Sequence, residues 1–235
     1  MVRIRVVGRV PVIPVNSGEL LDILSHLSGI LDNYPKEEDP QHRQIPVRSQ
    51  LNVLGLDRRR LRKLKRINAK GLDIGCGNGG LVNKMKEWGV DFTGIDKNAP
   101  EGDYFFRQNV TGKYPGEGSI PMPDESYDIA VSVENGTLNH AFIDFYRNTN
   151  CECHNEGPII LSEGLRVLRP KGRYVVFPGL DLKNKSLMEV VDFHKGVSVH
   201  QERMPVEYLI EHYQAIGLGS HLESEAYRTI FYKEG

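Results

Sequence analysis

Two carboxylates flanking a run of glycines carry the clearest chemistry in this chain. The segment GLDIGCGNGG, from Gly71 to Gly80, sets Gly75-x-Gly77-x-x-Gly80 directly after a short apolar run and before a helical pattern. Glycines at such a turn let the backbone approach a ligand closely, and the helix that follows offers unpaired N–H groups. Taken alone, that pattern fits dinucleotide enzymes and other nucleoside binders equally well. Asp96 ends a second apolar run 19 residues after Gly77, where a carboxylate can accept both hydroxyls of a ribose. Asp73 is the discriminating residue. It stands two positions before the first glycine, where it would repel a passing pyrophosphate and attract an ammonium or sulfonium. Together the three features favour a nucleoside that carries positive charge.

A second group of candidates follows the apolar run YDIAVSV: Glu134, Asn135 and His140. Imidazole is the side chain best suited to exchanging a proton near neutrality, so His140 is a candidate base, although a surface or capping histidine is equally compatible with its position. Glu134 could face either a cofactor or an acceptor. The run NTNCECHNE holds Cys151, Cys153 and His154. Its Cys-x-Cys-His spacing is tighter than that of zinc sites and no second cysteine pair exists, so it is read as a loop with reduced thiols and no metal is expected.

These residues need elements to position them. From Ala69 onward, short apolar runs alternate with helical patterns, which implies parallel strands in an α/β layered domain. GLDI, VDFTGID, YFFRQNV, YDIAVSV and RYVVF are the expected strands. Leu81, Met85 and Trp88 mark a helix closed by Gly89, and Pro158 is expected to start another that carries Ile159, Leu161, Leu165 and Leu168. A turn, RPKG, precedes the fifth strand. Pro205 opens a helix that ends at Gly217, and SHLESEAY with RTIFYK should pair antiparallel because almost no spacer separates them. Residues 1–69 form an N-terminal extension of different texture. Arg3 to Val15 suggests edge strands, Asn16 with Glu19 a capping box, and residues 34–46 a polar loop. Asp57 then caps RRRLRKLKRI, with Leu61, Leu64 and Ile67 on one stripe.

The ordered set LDIGCGNGG, GIDKNAP, YDIAVSVENGTLNH and LRVLRPKGRYVVF resembles the class I S-adenosylmethionine-dependent methyltransferases over roughly residues 69–233. The resemblance implies a Rossmann-like, seven-stranded mixed sheet with helices on both faces and an antiparallel C-terminal strand pair. It makes S-adenosylmethionine the expected cofactor. By the same resemblance Asp73 and the backbone of Gly75, Cys76 and Gly77 would face the methionine moiety, and Asp96 with Lys97 the ribose. Asn109, standing where the family often has an acid, and Val110 would meet the adenine. Ser132 to Glu134 would lie beneath the reacting methyl, with Glu134 and His140 as the catalytic candidates.

Composition narrows the remainder. The chain has 235 residues, a net charge of −1 and 39% hydrophobic residues, which excludes wholesale disorder and coiled coil. No apolar run approaches the roughly 18 residues of a membrane span, and three cysteines cannot build a disulfide framework, so a cytoplasmic location is expected. Seven of the nine residues from Arg58 to Arg66 are basic, which leaves −8 for the rest of the chain. Such a run can grip RNA phosphates or simply be a solvated helix face beside an acidic body. A small-molecule acceptor is therefore preferred and RNA comes second. Outside that class stand a nicotinamide-dependent oxidoreductase, which Asp73 opposes, and a binding protein without catalysis.

Overall fold

A computed structural model describes residues 45–110, 120–143, 153–205, 207–209, 212 and 227–235. The elements expected within residues 1–44, the SHLESEAY segment up to residue 226, Cys151 and the side chains of Cys153 and His154 lie outside the described part.

Helices α1 (Val47–Leu54) and α2 (Arg58–Arg66) lead into strand β1 (Lys70–Ile74). Then come α3 (Gly80–Glu87), β2 (Asp91–Asp96), β3 (Phe105–Arg107), β4 (Tyr127–Val133), α4 (Gly136–Phe142) and α5 (Cys153–Arg166). Strand β5 (Leu168–Phe177), helix α6 (Lys185–Phe193) and strands β6 (Val197–Arg203) and β7 (Tyr227–Lys233) complete the described elements. The seven strands form one sheet in the order β3-β2-β1-β4-β5-β7-β6. Strands β1 to β5 pair in parallel, and β7 runs antiparallel to both β5 and β6.

Alternation along the strands divides the core in two, because successive side chains leave opposite faces. Ile129 and Val131 of β4, Val175 of β5 and Ile230 of β7 join Leu51, Leu54, Leu61, Leu81 and Met85 from α1, α2 and α3. On the other face Ala130, Tyr174, Val176 and Phe231 join residues of α4, α5 and α6, among them Phe142, Leu161, Leu165 and Leu187. The α/β sheet with helices on both faces is therefore the fold of this chain. Among the described residues no helix is long and apolar enough to cross a membrane.

Several boundaries depart from the sequence expectations. Helix α5 begins at Cys153 and carries Pro158 in its interior. An interior proline ordinarily costs about 3 kcal/mol, and the buried face of Ile159, Ile160, Leu161 and Leu165 outweighs it. Leu168 belongs to β5, not to the preceding helix. The RPKG turn becomes a bulge within that strand: the register jumps from Tyr127–Leu168 to Ile129–Arg173, with Lys171 left-handed at φ 66°. Strand β3 is shorter than YFFRQNV because its partner, β2, ends at Asp96 opposite Arg107. Ile67 and Trp88 are exposed at 54% and 37%, since both sit past the last turn of their helices. Besides β5, the antiparallel partner of β7 is β6, a strand absent from the sequence expectation, and 23 residues separate β6 from β7.

Candidate functional site

Parallel strands direct their C-terminal ends, and the loops that follow them, toward one edge of the sheet, where α/β folds build their crevice. At that edge β1 ends at Ile74, and the Gly75 N–H donates to the Ile95 carbonyl of β2 at 2.8 Å. Gly75, Gly77 and Gly79 all have left-handed backbones, at φ 83°, 52° and 77°. Gly79, not Gly80, is thus the third glycine that the turn requires, and it serves as the N-cap of α3. A Cβ on Gly79 would strike the Phe105 ring. One on Gly75 would come within 2.8 Å of Asn135 Nδ2, so the glycine turn and the turn after β4 touch. A Cβ on Gly77 would meet nothing within 4 Å. The backbone there faces open space.

Three predicted residues converge beside that opening. Asp73 is buried, and burial first, then neighbouring Asp96, pushes its carboxyl up to about 7. Asp96 accepts from the Gly77 N–H at 3.2 Å through one oxygen and from the Asn98 N–H at 2.7 Å through the other. Cys76 is a free, buried thiol, pushed up by burial and then by Asp73 and Asp96. Val110 is buried in the same cluster as Ile74, Ile95 and Leu138. Lys97 and Asn109 are exposed, on the loops after β2 and β3. A buried carboxylate beside an open glycine backbone is a donor set that suits a sulfonium or ammonium and disfavours a diphosphate. The residues present therefore fit S-adenosylmethionine.

The other side of the edge is built by the turn after β4. Glu134 has a left-handed backbone at φ 52°, and its N–H donates to the Phe177 carbonyl at 2.8 Å. Asn135 caps α4, with its side chain accepting from the Leu138 N–H at 3.2 Å. The Glu134 side chain is 17% exposed. One of its oxygens lies 2.9 Å from His212 Nε2, and the other accepts from Asn139 Nδ2 at 3.3 Å. His212 is fully buried, with Nδ1 2.9 Å from the Ser49 Oγ of α1 and its ring edge-on to Phe177 at 5.0 Å. His140, the histidine singled out in the sequence, is half-buried in the last turn of α4. Ser132 departs from expectation. It is fully buried and its hydroxyl donates to the Ile74 carbonyl at 2.8 Å, while the Tyr174 hydroxyl, also at 2.8 Å, donates to it.

Ser49, Asn139 and His212 carry no sequence signal of chemistry. His212 and Ser49 are 163 positions apart, and no local spacing rule spans that distance. The one available hint is that His212 follows Leu209 by three positions, on the buried side of the same helical pattern. Among the described residues no group of three or more His, Cys, Asp or Glu side chains could hold a metal ion.

A search of curated proteins found no relative. Among solved structures, the [4+2]-cyclase SpnF matches with 15% identity over 93% of this chain and 95% of its own, at a TM-score of 0.47. An S-adenosylmethionine-dependent methyltransferase from Archaeoglobus fulgidus matches with 16% identity over 79% and 94%, at 0.43. The YcgJ protein from Bacillus subtilis matches with 14% identity over 78% and 98%, at 0.42. The family described as "Methyltransferase domain" matches residues 72–176, from the middle of β1 to the end of β5. That match covers 105 of the 235 residues and lies over the glycine turn, both carboxylates and strands β1 to β5, and S-adenosylmethionine-dependent methyl transfer is the activity it supports.

Proposed function

We propose that this methyltransferase transfers its methyl group to a small molecule held between the glycine turn and the turn after β4. When bound, S-adenosylmethionine supplies a methyl group already activated by its sulfonium. The protein's task is then to align the acceptor and exclude water. Asp73 and the backbone of Gly75, Cys76 and Gly77 hold the charged methionine end, and Asp96 with Lys97 holds the ribose. Val110 and Asn109 take the adenine. Glu134 faces the acceptor and receives its proton, and His140 lies close by on α4. Of the N-terminal extension, α1 contributes to the roof of the site, as its Ser49 reaches the residue that contacts Glu134.

The observation that carries a small acceptor is the enclosure of the Glu134 side chain. That side chain is mostly covered, and its carboxylate is engaged on both oxygens. RNA is favoured by a different observation: all seven basic side chains of α2 are exposed. Yet α2 runs into Lys70 at the start of β1, at the opposite end of that strand from the glycine turn. Phosphates gripped by the last turn of α2 would lie across the sheet from the methyl donor. Methyl-labelled cofactor, incubated with the protein in a fractionated cell extract, tests the proposal. Label is expected in the small-metabolite fraction, and label in RNA or protein would overturn it.

A further inference from the structure

Burying a histidine between two polar side chains from distant segments is costly unless each hydrogen bond is made. Here both are made. Ser49 on α1, His212 on the C-terminal helical segment and Glu134 after β4 form one continuous chain of 2.9 Å contacts. The Glu134 carboxylate can only accept, so His212 Nε2 carries the hydrogen and donates it. In the neutral ring Nδ1 is then an acceptor, and the Ser49 hydroxyl donates to it.

Two local costs are tolerated around this chain. Glu134 keeps a left-handed backbone that a β-unbranched, non-glycine residue rarely adopts. Asn139, 5% exposed, finds no hydrogen-bond partner for its amide oxygen among the described residues, while its Nδ2 donates to Glu134. A buried oxygen left without a donor is costly. Such expenses collect where a side chain must be aimed. The carboxylate they fix stands beside Asn135, which touches the glycine turn at Gly75.

We infer that His212 is a positioning residue, oriented by Ser49, that holds the Glu134 carboxylate toward the acceptor, and that the acceptor therefore presents an O–H or N–H. This inference rests on the methyl-transfer site proposed above. In the step, the acceptor's lone pair forms the new bond to the methyl carbon and the carbon–sulfur pair departs with the thioether. The acceptor's proton ends on Glu134. An acceptor that has no proton to lose, such as a thioether or a tertiary amine, makes no use of the arrangement.

Two measurements on the full chain test this. In the first, nitrogen NMR of 15N-histidine-labelled protein, with His212→Asn as the assignment control, is expected to find the hydrogen of His212 on Nε2. Nδ1 should be bare, and Ser49→Ala should shift that Nδ1 signal. A hydrogen on Nδ1 would overturn the relay whether or not the cofactor binds, so this measurement stands apart from the methyl-transfer proposal. In the second, wild type, Ser49→Ala, His212→Asn and Glu134→Gln are compared for S-adenosylmethionine affinity by calorimetry. Their turnover is compared with the extract fraction that wild type labels. Affinity should stay within about twofold while turnover falls at least 100-fold in His212→Asn and Glu134→Gln, and about tenfold in Ser49→Ala. Turnover in His212→Asn within twofold of wild type, or equal losses of affinity and turnover, would reduce the contact to a structural tie and overturn the inference. A wild type that binds S-adenosylmethionine and labels only acceptors without O–H or N–H would do the same.

Discussion

At the scale of single residues, Asp73 sets a conflict between stability and binding. Its folded-state value of about 7 lies above the ordinary carboxylate value of 3.8, chiefly through burial. As pH rises from about 4 to about 7, the unfolded chain gives up this proton and the folded chain retains it. The stabilisation is thus complete below about pH 4 and lost as pH rises through about 7. A cationic ligand reverses the preference, because it needs the ionised carboxylate. Affinity for S-adenosylmethionine should therefore rise as pH climbs toward 7 and level off above it. Asp73→Asn should flatten that profile, raise the melting temperature of the ligand-free protein at pH 8 by several degrees, and weaken cofactor binding at least tenfold. Calorimetry and thermal melts between pH 5.5 and 8.5 check all three. Asp96→Ala removes the acceptor that now takes the Gly77 N–H at 3.2 Å. It should weaken cofactor binding by about 1.5–3 kcal/mol, the scale of hydrogen bonds to a charged group, and unchanged affinity would refute the ribose assignment.

At the scale of elements, the outcome depended on whether a boundary had a local cause. Asp57 caps α2 by accepting from the Arg60 N–H at 2.7 Å, and Gly89 ends α3 with a left-handed backbone, both as the sequence implied. Those signals act within one turn and are read directly from residue types. The start of α5 depends instead on what packs against it. Gly157, in its second turn, lies so close to α4 that a Cβ would strike Ala141 Cβ. Gly157→Leu should force α4 and α5 apart and destabilise the protein by about 1–3 kcal/mol or more, as overpacking does. Denaturant unfolding measures the change, and because α4 follows Glu134, turnover should fall with it. Strand β6 likewise depends on a distant neighbour. VSVHQER alternates only weakly, and it becomes a strand because β7 lies beside it along seven paired residues.

At the scale of the whole molecule, charge is segregated: α2 carries seven positive charges in a chain of net charge −1. If the acceptor is small, those charges do not take part in binding it. Methyl transfer should then change less than about threefold between 50 and 200 mM salt. A polyanion gripped by six or more of these residues would lose on the order of 10³-fold over the same range, and a loss of that size would return RNA to first place. A second long-range feature is Arg228 on β7, which donates to the Val53 carbonyl at 3.1 Å and is paired with Glu202 of β6. It ties α1, and with it Ser49, to the far edge of the sheet.

The residue order by itself determined the alternation of strands and helices from Ala69 onward, the glycine turn and its two acids, and the cofactor class. Each of these is a short-range pattern, set by backbone freedom, side-chain period or one carboxylate beside a bare amide. Only the tertiary structure decided that Gly79 rather than Gly80 completes the turn, that Ser132 faces the core, and that the histidine against Glu134 is His212. These outcomes depend on which distant segments the sheet order brings together. Hydrogen bonds across 78 and 163 residues leave no periodicity in a sequence, because the chain between them is free to be anything that closes the path.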